Sequence, residues 1–155
     1  MTDRRKQRIG IVVTGHGNFA SGLTSSVKLI AGEPEKYEAV DFLPTDSSED
    51  LEAKLKAAFE KLSGCTEGIL VFTDLTGGSP FKISAELSMT LKGPKIAVVS
   101  GTNLGMLIEA NMSRTFTDAS VDDFADQIVE TGKSLPIHYV YQDPVREEPE
   151  DGEGI

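Results

Sequence analysis

The sequence has 155 residues, enough for one domain with a sizeable core and too few for two of ordinary size. With 39% hydrophobic and 26% charged residues it is a globular composition, and the net charge of −10 argues against nucleic acid or an anionic membrane surface as partner. No apolar run is long enough to cross a bilayer, and residues 1–8 lack the apolar core and cleavage site of a signal peptide. A single cysteine, Cys65, excludes an internal disulfide and suits a reducing cytoplasm.

The basic opening reads as a solvated end, and the first element is an apolar, β-branched run over residues 9–14, a buried strand. It breaks at Gly15-His16-Gly17. A helix is predicted over residues 18–31, with Asn18 as N-cap, Leu23, Val27 and Ile30 on one face, and Gly32 and Pro34 as stop. Residues 37–42 form a second strand, ended by Pro44. Ser47 or Ser48 caps a second helix whose Leu51, Leu55, Ala58, Phe59 and Leu62 keep the helical period up to Gly64. Residues 68–73 are another fully apolar strand, breaking into Asp74-Leu75-Thr76-Gly77-Gly78-Ser79-Pro80. Ser79 as N-cap and Pro80 at the first helical position predict a helix over residues 80–91. A third buried run covers residues 95–100, followed by Gly101-Thr102-Asn103 and a helix to Arg114. Residues 121–131 are amphipathic, with Gly132 as stop, and residues 137–141 read as a last strand containing His138, a structural histidine. Residues 143–155 hold six acids and one base, −5 of the −10, and read as a disordered tail after a single domain of residues 1–142.

Strands alternating with helices give an α/β domain, doubly wound, with a mostly parallel sheet in the order 2-1-3-4 and helices on both faces. Winding reverses between the first and third strands, and ligands of such sheets bind beyond the carboxyl ends of the strands at that reversal. His16 and Asp74 lie there. A histidine that attacks phosphorus needs a neutral ring with one bare nitrogen. A carboxylate on the other nitrogen fixes that tautomer and stabilises the ring as it becomes positive. His16 is therefore the expected nucleophile and Asp74 its partner, with Gly15 and Gly17 keeping bulk away from the imidazole. Gly77, Gly78 and Ser79 at a helix N-terminus would bind the phosphoryl oxygens, with hydroxyls available from Thr14, Thr73, Thr76 and Ser79. Either histidine alone reads as structural; the joint placement at one rim carries the functional reading. Two histidines and one cysteine make no metal site. Gly15-His16-Gly17-Asn18-Phe19-Ala20 also matches a dinucleotide fingerprint, with Asp41 as the ribose acid. The spacing to Asp41 is too long and the chain too short for that fold, and no phosphate-binding loop of the nucleotide-hydrolysing type occurs.

These stretches resemble the IIA component of the mannose-class (mannose, fructose, sorbose) sugar phosphotransferase system. The likeness rests on residues 11–17, on Thr73-Asp74-Leu75-Thr76-Gly77-Gly78-Ser79-Pro80-Phe81, on Ser100-Gly101-Thr102-Asn103-Leu104 and on Val129-Glu130-Thr131-Gly132. The resemblance implies a cytoplasmic phosphohistidine phosphocarrier without cofactor. His16 would accept a phosphoryl group from phospho-HPr and pass it to a histidine of the IIB component, serving the membrane components IIC and IID indirectly. It also implies a homodimer in which the last strand is exchanged and pairs antiparallel with the partner's sheet. Two positions depart from the pattern: Thr76 stands where an aromatic residue is common, and Gly105 where proline is common. Some relatives carry IIB on the same chain after a linker; with the sequence ending at residue 155, IIB is expected on a separate chain. Docking two partners in turn calls for apolar residues around His16, and Phe19, Leu75, Phe81, Leu104 and Met106 are the candidates. Two other readings are the phosphotransfer subunit of a dihydroxyacetone kinase and a non-catalytic regulatory binding module of the same fold.

Overall fold

A computed structural model describes residues 8–144; the basic opening and most of the acidic tail lie outside the described residues. The chain runs β1 (Ile9–His16), α1 (Phe19–Ala31), β2 (Tyr37–Phe42), α2 (Ser48–Lys61), β3 (Gly68–Thr73), α3 (Ser79–Thr90), β4 (Ile96–Val99), α4 (Leu104–Ser113) and α5 (Val121–Ser134). The sheet is wholly parallel in the order β2-β1-β3-β4, as the alternation of elements predicts.

Side chains alternate across the sheet, so each central strand feeds two cores. Ile9, Ile11 and Val13 of β1 with Leu70 and Phe72 of β3 pack under α1, α4 and α5. Val12, Ile69 and Val71 pack on the other face, under Leu51, Leu55, Ala58 and Phe59 of α2 and Ile83 and Leu87 of α3. Cys65 is a free thiol buried in the second core. At the amino ends of the strands the buried Arg114 donates from its guanidinium to the carbonyls of Ile9 and Lys36, each at 3.0 Å, to the carbonyl of Glu35, and to Asn111 Oδ1. One cation thereby ties β1, the α1–β2 connection and α4 together below the sheet.

Several local expectations change. Asn18 precedes α1 but makes no side-chain cap; Asp41 of β2 accepts from the Ser21 N–H at 2.9 Å instead. Ile30 turns outward, and Ala20, Thr24 and Val27 form the buried face of α1. Ser47 is the cap of α2, in a reciprocal capping box with Asp50. Ser79 is the first residue of α3, with Gly78 in the cap position. Gly132 does not stop α5. It lies buried within the helix, where a Cβ would run into the side chain of Met106 of α4, so the two helices approach closest at that glycine.

The expected last strand is absent from the single chain. Residues 137–141 pair with nothing among the described residues, and Ile137 and Tyr139 are 83% and 75% exposed. A strand needs a partner ladder to satisfy its backbone, and among the described residues this segment has none.

Candidate active site

The register of β1 builds the site. Its ladder with β3 ends at Thr14↔Thr73, whereas its ladder with β2 continues through Gly15↔Asp41 to His16↔Phe42. The sequence places the end of β1 at Thr14; the continued pairing with β2 extends it, and His16 becomes the last residue of the strand. Past the end of β3 no main-chain carbonyl is available to the His16 N–H. The Asp74 side chain takes that role, with Oδ2 accepting from the His16 N–H at 2.8 Å and lying 2.7 Å from Nδ1 of the same residue. Its other oxygen accepts from the Leu75 N–H at 2.8 Å.

Asp74 is largely buried, its side chain 11% exposed, while the imidazole is about half exposed at 48%. Burial pushes the carboxyl up. The hydrogen bonds from the His16 main chain, the His16 ring and the Leu75 N–H, with the charge of the ring, outweigh that cost and hold it below its ordinary value. An ionised carboxylate only accepts, so Nδ1 carries the proton of the 2.7 Å contact. Nε2 is then the nitrogen left without a bonded partner among the described residues. The Phe42 ring, tilted 60° with its centroid 5.7 Å away, walls the imidazole on the β2 side.

The two glycines flanking His16 serve purposes other than clearance. Gly15 is buried and gives its space to the Phe19 ring, and Gly17 has φ +60, which turns the chain from strand into helix. Clearance comes from Gly78. A Cβ there would stand 2.9 Å from His16 Cε1 and 3.6 Å from Nε2, so α3 begins in contact with the imidazole. Gly77 makes the turn at φ +84, and Pro80 lies in the first turn. The Gly78 N–H is not a free donor, because it is bonded to the Leu75 carbonyl at 3.2 Å. The first-turn N–H groups of Ser79 and Phe81 have no acceptor within the helix and lie at its positive end.

Of the hydroxyls, Thr73 donates to the Val99 carbonyl at 2.7 Å, and Thr14 is buried without a partner. Neither faces the rim. Thr76 Oγ1 is 2.5 Å from Ser100 Oγ, bridging the loops after β3 and β4.

The five residues proposed for docking part company. Leu75 stands at the rim, 66% exposed. Phe19 and Leu104 are half-buried against the first core, and Phe81 lines a groove beside β4. Met106 is 3% exposed and packs on Gly132, so it is a core residue rather than a docking one. Helical spacing gives an apolar residue a face but not its exposure. Phe42, and Leu43 after it at 36% exposure, belong to the apolar rim, which residue spacing along the chain does not reveal. The signal for them is the pairing of β2 beside β1, which brings the end of β2 level with His16.

With this geometry in place, comparison with known proteins identifies the family. A family model described as the PTS system fructose IIA component matches residues 10–129. The chain is 34% identical over 125 residues to the mannose-specific EIIAB component of the phosphotransferase system (PTS) of Escherichia coli K12, covering 81% of this chain and 38% of that protein. The sorbose-specific EIIA component of Lacticaseibacillus casei is 36% identical over 99 residues, 64% of this chain and 69% of that one. A crystal structure of phosphotransferase system component EIIA from Streptococcus agalactiae superposes with a TM-score of 0.76 at 38% identity, covering 84% of this chain and 96% of that one. The match with the longer E. coli protein thus spans well under half of that protein's length. The coverage of the family model and the identity to the S. agalactiae structure lead to one conclusion: the chain belongs to the mannose-class IIA family of the sugar phosphotransferase system.

Proposed function

We propose that this protein is a phosphohistidine phosphocarrier, taking a phosphoryl group from phospho-HPr onto His16 and passing it to the IIB component of a cytoplasmic sugar phosphotransfer chain. The observation that carries the reading is the double engagement of Asp74 Oδ2 by the main-chain N–H and the Nδ1 of His16. That arrangement fixes the ring's rotation, its tautomer and the free nitrogen at once.

In the transfer, the Nε2 lone pair attacks the phosphorus of the donor's phosphohistidine. The new N–P bond forms as the donor's N–P bond breaks, and the donor ring leaves with that electron pair. His16 keeps its Nδ1 proton and becomes positive, and the buried carboxylate 2.7 Å away stabilises that charge. The phosphoryl oxygens meet the positive end of α3, where the N–H groups of Ser79 and Phe81 and the turn at Gly77 face them. Gly78 supplies room rather than a donor. Transfer to IIB reverses the same step. Phe42, Leu43 and Leu75 around His16 form the apolar contact for both partners, and an open rim suits an exchange in which another protein must bring its own reactive group to the ring.

The protein assembles as a dimer in which residues 137–141 of each copy pair with the other, which accounts for an exposed apolar arm. Incubation with phosphorylated HPr tests the central step. An acid-labile phosphate on His16, lost in His16→Ala, is expected; phosphorylation of the His16→Ala protein overturns the assignment.

A further inference from the structure

The loop that carries the chemistry has little packing of its own. Leu75, Thr76 and Gly77 are exposed, and Gly77 has a left-handed backbone, so the tip between Asp74 and α3 has no buried side chain to hold it. Yet the α3 N-terminus must stand within van der Waals contact of the imidazole. The turn after β4 supplies the restraint. At the root of the loop the Gly101 N–H donates to the Asp74 carbonyl at 2.7 Å and the Thr102 N–H to the Thr73 carbonyl at 3.2 Å. Those bonds fix where Asp74 leaves β3. They do not reach the tip. Leu75 is held to the root by its N–H bond to Asp74 Oδ1, and across to the neighbouring loop, among the described residues, the bond present beyond Leu75 is the one between Thr76 Oγ1 and Ser100 Oγ, at 2.5 Å.

We infer that Thr76 and Ser100 are positioning residues, a hydroxyl latch that holds the Gly77–Gly78 turn and the start of α3 against His16 while the phosphoryl group is transferred. The inference rests on the phosphocarrier reading of His16 and adds to it a division of labour. Backbone bonds from Gly101 and Thr102 set Asp74, and with it the tautomer of the ring. The side-chain pair sets the donors that receive the phosphoryl oxygens. The two loops come from adjacent strands, so the latch joins neighbouring ends of the sheet. The hydrogen bond of each hydroxyl is to the other, and that of the imidazole is to Asp74, so each hydroxyl acts through the turn it holds.

A double-mutant cycle on the full chain tests it, with Thr76→Val, Ser100→Ala, the double variant and the conservative Thr76→Ser, each treated with phosphorylated HPr. Displacing oriented donors by an ångström or less slows a transfer step by about ten-fold or more. Each single variant is therefore expected to lose that much in the maximal rate of His16 phosphorylation, with KM for the carrier little changed. Because the two hydroxyls form one bond, the double variant is expected to be no slower than either single one. Thr76→Ser, which keeps the hydroxyl, is expected to restore the rate. The nitrogen resonances of the His16 ring, which report the Nδ1–H bond to Asp74, are expected to stay in place in all four. Wild-type rates in both single variants, losses that multiply in the double, or failure of Thr76→Ser to restore transfer would each overturn the latch while leaving His16 as the carrier. A wild-type protein that takes no phosphoryl group overturns both readings.

Discussion

At the scale of single residues, the site is governed by one carboxylate doing two jobs. Asp74 completes the hydrogen bonding of the last residue of β1 and orients that residue's ring through the same oxygen. In Asp74→Asn an amide N–H turned toward Nδ1 would force the ring proton onto Nε2, and a neutral side chain no longer balances the positive ring. A fall in the transfer rate of about two to four orders of magnitude is expected, by analogy with other oriented histidines. Stability gives an independent check. The folded pKa of Asp74 is held below its unfolded value, so its stabilisation is complete above the ordinary carboxylate pKa and is lost as pH falls through the folded one. The difference in thermal midpoint between wild type and Asp74→Asn is thus expected to shrink as pH drops below about 4. A difference that stays constant down to strongly acid pH contradicts this assignment. Gly78→Ala separates space from fold at the neighbouring position. Its φ of −73 suits alanine, so folding stability is expected within about 1 kcal/mol of wild type. The added methyl would press on Cε1 at 2.9 Å, so phosphorylation of His16 is expected to slow sharply. Unchanged transfer in a folded Gly78→Ala protein contradicts the contact.

At the scale of elements, the sheet and its order were legible because three apolar, β-branched runs and one shorter strand, separated by amphipathic segments, admit few windings. The pairing of His16 with Asp74 was legible for the same reason, since strand ends at a winding reversal must lie side by side. What sequence spacing missed are contributions from one element to another's terminus. Asn18 is a good capping residue in the right place, yet its backbone conformation, φ −98 and ψ 26, departs from the extended form of a side-chain cap. The capping oxygen comes from Asp41, twenty residues beyond the Ser21 N–H it accepts, because β2 runs beside the start of α1. The acid that fits a dinucleotide fingerprint in the sequence is thus a helix cap in the fold. Asp41→Ala is expected to cost about 0.5–2 kcal/mol in chemical denaturation, and Asn18→Ala only a small fraction of that. A larger loss from Asn18→Ala would show that α1 is capped in solution from within its own sequence. Gly132 is the opposite case, a stop signal overridden by packing. Near Met106 a missing side chain is worth more to the α4–α5 contact than helix propensity costs, and α5 runs on to Ser134.

At the scale of the whole molecule, the sheet is finished on one side and open on the other. Lys54 and Lys61 of α2 lie over β2, Lys54 donating to the Asp41 carbonyl and Lys61 to Glu38, and charged side chains of this kind discourage pairing at an edge. Beside β4 the charged residues are Lys95, paired with Asp122, and Asp126. Along the same strand runs a groove of about 480 Å³, lined by Phe81, Val98, Ala125 and Val129 among others. The same chain carries an apolar arm, with Ile137, Tyr139, Val140 and Tyr141 between 61% and 83% exposed. Five extended residues span roughly 17 Å, somewhat more than the four residues of β4, so an arm from a second copy has the length to run along that edge. In the proposed dimer each arm closes the other copy's sheet, which removes two open edges and two exposed apolar segments together. Light scattering of the full chain is therefore expected to give twice the monomer mass, and of a chain ending at Pro136 the mass of one copy. Because the arm covers an edge rather than the core, the shortened chain is expected to fold with its far-ultraviolet spectrum nearly intact but to melt earlier. Its His16 remains at the opposite boundary of the strands from Arg114 and beside β2, so phosphorylation by HPr is expected to persist in the monomer. A full chain that stays monomeric at tens of micromolar, or a shortened chain that still dimerises, contradicts the exchange of the arm and leaves the chemistry at His16 where it stands.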